Sequence, residues 1–273
     1  MPTLRVWLDA LPRPLITFLR ATRTAALWAA EPLDRICRTL TQSTRPDPLP
    51  PLWIRRHAGP IGAVERAAVE MSAMIAALRV VREDDTVLDV GCGCGSMAFQ
   101  LRRTLGPRGA YIGFDVHGAS IAWCRTQFAA DPRFVFELAR LETAWSHGHT
   151  PATEYQFPAD DASVDFVLAK SVFTHLLEPD AAHYLREIRR ALRQGRNAII
   201  TAFLSESSDT TFRYGGPDAW WKVKSRPEAA VAYRRAHFLG MVRAAGLRVE
   251  KVIDGSWSRR GVARTFQDLL LLS

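Results

Sequence analysis

Thr86-Val87-Leu88-Asp89-Val90-Gly91-Cys92-Gly93-Cys94-Gly95-Ser96 is the stretch from which the fold can be read. Its first half is a short apolar run, the composition of a parallel strand buried on both faces. Three alternating glycines then break the run. Met97-Ala98-Phe99-Gln100-Leu101 resumes with residues that suit a helix. Strand, glycine turn and helix in that order make a nucleotide-binding corner. The missing side chains let backbone and ligand approach closely, and the helix start offers free N–H groups.

The glycine spacing separates two cofactor readings. The dinucleotide fingerprint is G-x-G-x-x-G. Here the third glycine comes one position early and Ser96 holds the last place, which argues against a nicotinamide oxidoreductase. The run Val87-Leu88-Asp89-Val90-Gly91-Cys92-Gly93-Cys94-Gly95 resembles motif I of the class I S-adenosylmethionine (SAM)-dependent methyltransferases. Further on, Val164-Asp165-Phe166-Val167-Leu168-Ala169-Lys170-Ser171-Val172-Phe173-Thr174-His175-Leu176 resembles the fourth-strand region of a subgroup that reads close to "fDxVxxxSVFTHL". With Gly113-Phe114-Asp115 and Ile121-Ala122-Trp123-Cys124, the resemblance runs from about Asp84 to Leu204.

That resemblance implies an α/β fold: a doubly wound, Rossmann-like, mostly parallel sheet closed by a C-terminal antiparallel strand pair. It implies SAM as cofactor, held around the turn Gly91, Cys92, Gly93 and Gly95, with Asp89 positioning the methionine end. Lys170 and Ser171 would border the methionyl part and the reacting methyl. Ala110-Tyr111-Ile112-Gly113-Phe114-Asp115 reads as the second strand. A carboxylate about 20 residues past the glycine turn accepts hydrogen bonds from ribose hydroxyls, which assigns that role to Asp115, with Val116 beside it. The third strand, Arg133 to Leu138, leads in the family to an acid that holds the adenine amine. Here the place reads Ala139-Arg140-Leu141-Glu142. Arg140 has no acceptor to offer, so the contact passes to the Leu141 backbone or to Glu142.

His175 is the candidate general base, because an imidazole titrates near working pH. The alternative is that the Thr174-His175 pair holds its loop by hydrogen bonds. Leu204 leads into an insert, 205–227, that carries Phe212, Tyr214, Trp220 and Trp221 and follows a strand on the ligand side. It reads as a lid over a partly apolar acceptor. Residues 142–154 read as an irregular loop, and Ala229 to Ala245 as one helix ended by Gly246. Strands are expected over 247–253 and 265–272.

The chain has 273 residues, 48% of them hydrophobic, and no apolar stretch of spanning length. With no signal-peptide pattern at its start, a cytoplasmic location is the default expectation. The net charge of +8 is carried almost wholly by dispersed arginines, so no nucleic-acid partner is expected. Cys92 and Cys94 lack two further ligands at metal spacing, so no metal site is expected and free thiols are.

Residues 1–51 read as a helical extension ending in the Pro-rich linker 45–51, and residues 52–273 as the catalytic domain. Leu15, Phe18, Leu19, Ala25, Ala26 and Ala29 recur at helical spacing beside Arg13, Arg20 and Arg23. Packing on the catalytic domain, or on a second subunit as in a homodimer, is favoured over peripheral membrane contact. Arg55, Arg56 and His57 read as a solvated basic turn, with a place at the cofactor cleft as the alternative. The function expected is methyl transfer from SAM to O, N or C of a small molecule such as a natural product, sugar or lipid-like compound. The competing expectation is a non-catalytic SAM-fold subunit that binds a partner through its N-terminal helices, with Arg140 in its favour.

Overall fold

A computed structural model describes residues 29–40, 47–59, 64–143, 146–208, 211–258 and 265–273. The helical face expected through Leu15 to Ala26 lies outside them. Contacts divide the chain between Val64 and Glu65. In the first unit, helix α1 covers 29–40 and α2 covers Leu52–Ala58. Glu31 and Asp34 both pair with Arg38, Asp34 also pairs with Arg55, and the Leu52 amide donates to Glu31. Arg55, Arg56 and His57 are thus the last turn of a helix rather than a solvated turn, and Arg55 is buried against Asp34.

The second unit is built on a seven-stranded sheet. Its strands are β1 (Thr86–Val90), β2 (Ala110–Asp115), β3 (Phe134–Leu138), β7 (Val164–Ala169), β8 (Leu192–Ala202), β13 (Val249–Ile253) and β14 (Asp268–Leu272), in the order β13-β14-β8-β7-β1-β2-β3. All neighbours run parallel except β14, which is antiparallel to both β8 and β13. This is the doubly wound sheet with its C-terminal antiparallel pair.

Both faces of the sheet are covered. Val87 faces one core and Leu88 and Val90 the other, all at 0% exposure, which is why β1 is an uninterrupted apolar run. On the Val87 side lie α3 (Val64–Leu78), α4 (Ser96–Leu101) and α5 (Gly118–Gln127). Ala68, Met71 and Ile75 form the buried stripe of α3 at helical spacing. On the Leu88 side lie α6 (Glu178–Ala191), through Ala181, Tyr184, Leu185 and Ile188, and α7 (Arg235–Ala244), through Phe238 and Val242. Each such aliphatic side chain contributes about 1.5–3 kcal/mol on burial.

Three expectations are corrected. The described residues of 142–154 include regular elements: β4 (Leu141–Thr143), β5 (Ser146–His147) and β6 (Thr150–Pro151) make a small sheet, followed by a 3-10 turn. Gly148 makes this possible, since a Cβ there would stand 2.1 Å from the Arg140 carbonyl. The helix expected over 229–245 is strand β12 (Val231–Arg234) followed by α7, because β12 pairs with two other segments. The insert accordingly extends beyond 205–227. Strands β9 (Leu204–Ser205), β10 (Tyr214–Gly215), β11 (Ala219–Trp221) and β12 form one four-stranded cap. Gly246, at φ +80°, ends α7 as expected. Gly195, also left-handed, sits within β8, where β8 advances five residues while β7 advances two.

Candidate cofactor cleft

The strand tips of β1, β2 and β7 share one edge of the sheet. After β1, Gly91, Gly93 and Gly95 all take left-handed backbones, at φ +69°, +55° and +77°, a conformation that costs any other residue about 1–2 kcal/mol. A Cβ on Gly91 would come within 2.6 Å of Val172 Cγ2, so the turn runs tight beneath the loop that follows β7. A Cβ on Gly113 would stand 3.0 Å from the Cβ of Cys92, so β2 has no side chain where the turn folds down on it.

Asp115 ends β2 and braces that turn. Its Oδ2 accepts the Gly93 amide at 2.9 Å and its Oδ1 the His117 amide at 2.8 Å. These two bonds fix the carboxylate at the tip of β2. Val116, next along, packs part-buried against the core.

Asp89 stands behind the turn. It is 2% exposed and accepts the Tyr111 hydroxyl at 2.5 Å. Burial pushes its carboxyl up to about 7, against the pull of that hydrogen bond and of Lys170. Lys170 follows β7, half-buried, with burial pulling its pKa down and the Asp89 charge opposing that. Among the described residues it donates no hydrogen bond. Cys92, Cys94 and Cys124 are buried free thiols around the turn. Cys92 and Cys124 point at the Gly93 carbonyl, at 3.8 and 3.7 Å. Burial keeps them protonated, Cys94 being pushed up to about 11. Among the described residues no cluster of His, Cys, Asp and Glu is placed to hold a metal ion.

Ser171 has φ +62°, rare for a residue with a side chain. Its amide donates to Thr201 Oγ1 at 2.7 Å, and its hydroxyl donates to Gln267 Oε1 at 3.0 Å. Thr201, 2% exposed, donates to the same oxygen at 2.6 Å. Tyr111, Thr201 and Gln267 are site neighbours that motif reading misses. Their only signal is their place at or beside the strands that build the site.

His175 lies where the loop after β7 meets the cap. Its Nδ1 is 2.9 Å from the Glu228 carbonyl, which can only accept, so Nδ1 carries the proton. Burial holds its pKa below the ordinary 6.5, leaving a neutral ring with Nε2 as the basic nitrogen. The adjacent Thr174 carbonyl accepts the Val231 amide at 2.7 Å. The pair therefore does hold the loop, and it ties the loop to β12. On the cap, Phe212 and Trp220 are buried with Ala232 in the cap's own small core. Trp221 and Tyr214 are a cross-strand pair on the other face of the cap, half-buried, in register with Val231.

At the third strand, the Arg140 side chain is exposed and lines a shallow depression with Arg125 and Glu137 on the flank of β3. Its carbonyl accepts the amides of His149 and Thr150. Leu141 is buried in β4. Glu142, the sequence's other candidate for the adenine amine, is exposed.

Residues 87–195 match the family model for a methyltransferase domain. The chain is 32% identical over 140 residues to 2-phytyl-1,4-naphtoquinone methyltransferase of Synechococcus elongatus, covering 50% of each. It is 30% identical over 142 residues to 27-O-demethylrifamycin SV methyltransferase of Amycolatopsis mediterranei, covering 52% of this chain and 47% of that protein. The chain thus spans about half the length of these curated relatives. The crystal structure of a SAM-dependent methyltransferase from Aquifex aeolicus superposes with a TM-score of 0.53 at 20% identity, covering 80% of this chain and 95% of that one. Residues 87–195 thus match a methyltransferase-domain model, and the sheet shares the fold of that solved methyltransferase. No helix among the described residues is long and apolar enough to cross a membrane.

Proposed function

We propose that this chain is a SAM-dependent methyltransferase acting on a small molecule. The observation that carries the reading is the left-handed glycine cradle braced by Asp115, inside a stretch matching a methyltransferase domain. What supports a fit to SAM is Asp115, held at the tip of β2 by the Gly93 and His117 amides where ribose hydroxyls would lie. Gly91, Cys92, Gly93 and Gly95 would pass along the methionine chain. Asp89 and Tyr111 would hold the turn from behind, with Lys170 facing the amino-acid carboxylate. Asp115 and Val116 would take the ribose and adenine edge, with the Leu141 segment closing the far side.

When bound, SAM supplies an electrophilic sulfonium methyl. The chain's own work is to orient the acceptor and exclude water. His175 Nε2 would take the proton of an O–H or N–H acceptor and later release it to solvent. Trp221 and Tyr214 would give the acceptor an aromatic wall. The relatives are named for a prenylated naphthoquinone and a rifamycin, which supports a ring-bearing, partly apolar acceptor. The test is transfer of a labelled methyl from SAM to extractable small molecules of a bacterial lysate. A labelled product that needs His175 supports the reading. Tight SAM binding without any transfer favours the binding-subunit alternative.

A further inference from the structure

The amide of Gln267 is fixed in a way its own fold does not use. Gln267 directly precedes β14, the strand antiparallel to β8, and therefore lies at the same sheet edge as the tips of β1, β2 and β7. In the strand order β14-β8-β7-β1-β2, it stands beyond Ser171 and on the far side of it from Asp115. If the cleft binds SAM as proposed above, this is the acceptor's side of the cleft.

Two hydroxyls fix the amide's orientation. Thr201 is buried and already accepts the Ser171 amide, so its own proton needs an acceptor, and Gln267 Oε1 at 2.6 Å supplies it. Ser171 donates to the same oxygen at 3.0 Å. With Oε1 turned towards these two, the NH2 group must point away from them. Gln267 is half-buried, and among the described residues nothing accepts from that group. The left-handed backbone of Ser171 is the kind of local strain that persists where surroundings fix a site. In sequence, Gln267 directly follows a residue of an aromatic cluster. Phe266, 65% exposed, meets Phe203 edge-on at 5.9 Å, and Phe203 meets Trp257 at 5.0 Å.

We propose that Gln267 is a specificity-determining residue that donates its side-chain N–H to an oxygen of a ring-bearing acceptor, with Ser171 and Thr201 as the positioning residues that aim it. The inference rests on the cleft being the SAM site. It adds that the acceptor carries a carbonyl or hydroxyl oxygen beside an aromatic or otherwise apolar body.

The test uses the full chain saturated with S-adenosylhomocysteine and titrated with three probes: tetralin, 1-tetralone and 1-naphthol. A single neutral hydrogen bond corresponds to about a tenfold difference in affinity. The wild-type chain is expected to bind 1-tetralone and 1-naphthol about tenfold tighter than tetralin. Gln267→Leu should erase both preferences. Gln267→Glu keeps an oxygen for the two hydroxyls but removes the donor. It should lose the preference for 1-tetralone, which can only accept, and keep that for 1-naphthol, which can donate. A purely structural role would not split the two probes. Equal binding of all three probes by wild type, or preferences that survive in Gln267→Leu, overturns the proposal. Failure of the wild-type chain to bind S-adenosylhomocysteine overturns both the cofactor reading and this one, whereas S-adenosylhomocysteine binding without probe discrimination overturns this one alone.

Discussion

Gly91→Ala isolates the physics of the glycine turn. The substitution adds one methyl group, and two costs follow from where it lands. At φ +69° the left-handed backbone disfavours any Cβ by about 1–2 kcal/mol. The new carbon would also stand 2.6 Å from Val172 Cγ2, and overpacking of this sort costs about 1–3 kcal/mol. The expected loss is the total, roughly 2–5 kcal/mol, a large share of a typical folding free energy of about 5–15 kcal/mol. Urea unfolding followed by circular dichroism gives the number by linear extrapolation.

Val172→Ala separates the two parts. In the double variant Gly91→Ala/Val172→Ala the collision is removed and the backbone strain stays. The pair should therefore show a favourable coupling of about 1–3 kcal/mol and, relative to Val172→Ala alone, keep a deficit of about 1–2 kcal/mol. SAM affinity should fall with Gly91→Ala and recover in part with the double variant. A Gly91→Ala protein within about 0.5 kcal/mol of wild type, the range of an ordinary surface change, would refute this reasoning. So would a coupling of zero, because it would mean that the turn and Val172 do not touch.

Other consequences follow from buried groups. Asp268 is wholly buried and accepts the amides of Leu204 and Gly255 and the indole N–H of Trp257. Asp268→Ala should cost roughly 3–5 kcal/mol and expose the cap around 204–234 to limited proteolysis. Burial raises Asp89 from 3.8 to about 7, so the folded chain holds a proton that the unfolded chain releases in that interval. Stability from this group is complete below 3.8 and is lost as pH rises to about 7. Asp89→Asn should flatten that slope, read as urea midpoints across the window. His175→Ala should lower kcat by about a hundredfold with SAM affinity unchanged. In the wild type, burial of His175 should keep its limb of the pH–rate profile below 6.5.

Much of the architecture is legible in the chain because local and global demands agree there. Val87, Leu88 and Val90 must be apolar since both faces of β1 are covered, and the three glycines follow directly in sequence. The misreadings fall where distant pairing decides. Val231-Ala232-Tyr233-Arg234 runs into α7 with no breaker between them, and only pairing with Ala219–Trp221 and with Leu204–Ser205 makes it a strand. The strands within 141–151 are two or three residues long, too short for alternation to register. In the candidate site, motif and spacing single out Asp89, Asp115 and the glycines. The contact between Ser171 and Gln267 spans 96 residues of sequence, and no local pattern marks it. His175 was legible as a residue of interest. Its tautomer was not, because that is set by the Glu228 carbonyl 53 residues away.

The account rests on the β1–β2 corner being an adenosyl-sulfonium site, and calorimetric titration of the intact chain with SAM tests this most directly. It predicts one SAM per chain, no heat with NAD, and an affinity about tenfold or more weaker in Asp115→Ala, as expected for losing hydrogen bonds to a charged carboxylate. No SAM heat, NAD binding in its place, or an Asp115→Ala protein that binds SAM as tightly as wild type would contradict it.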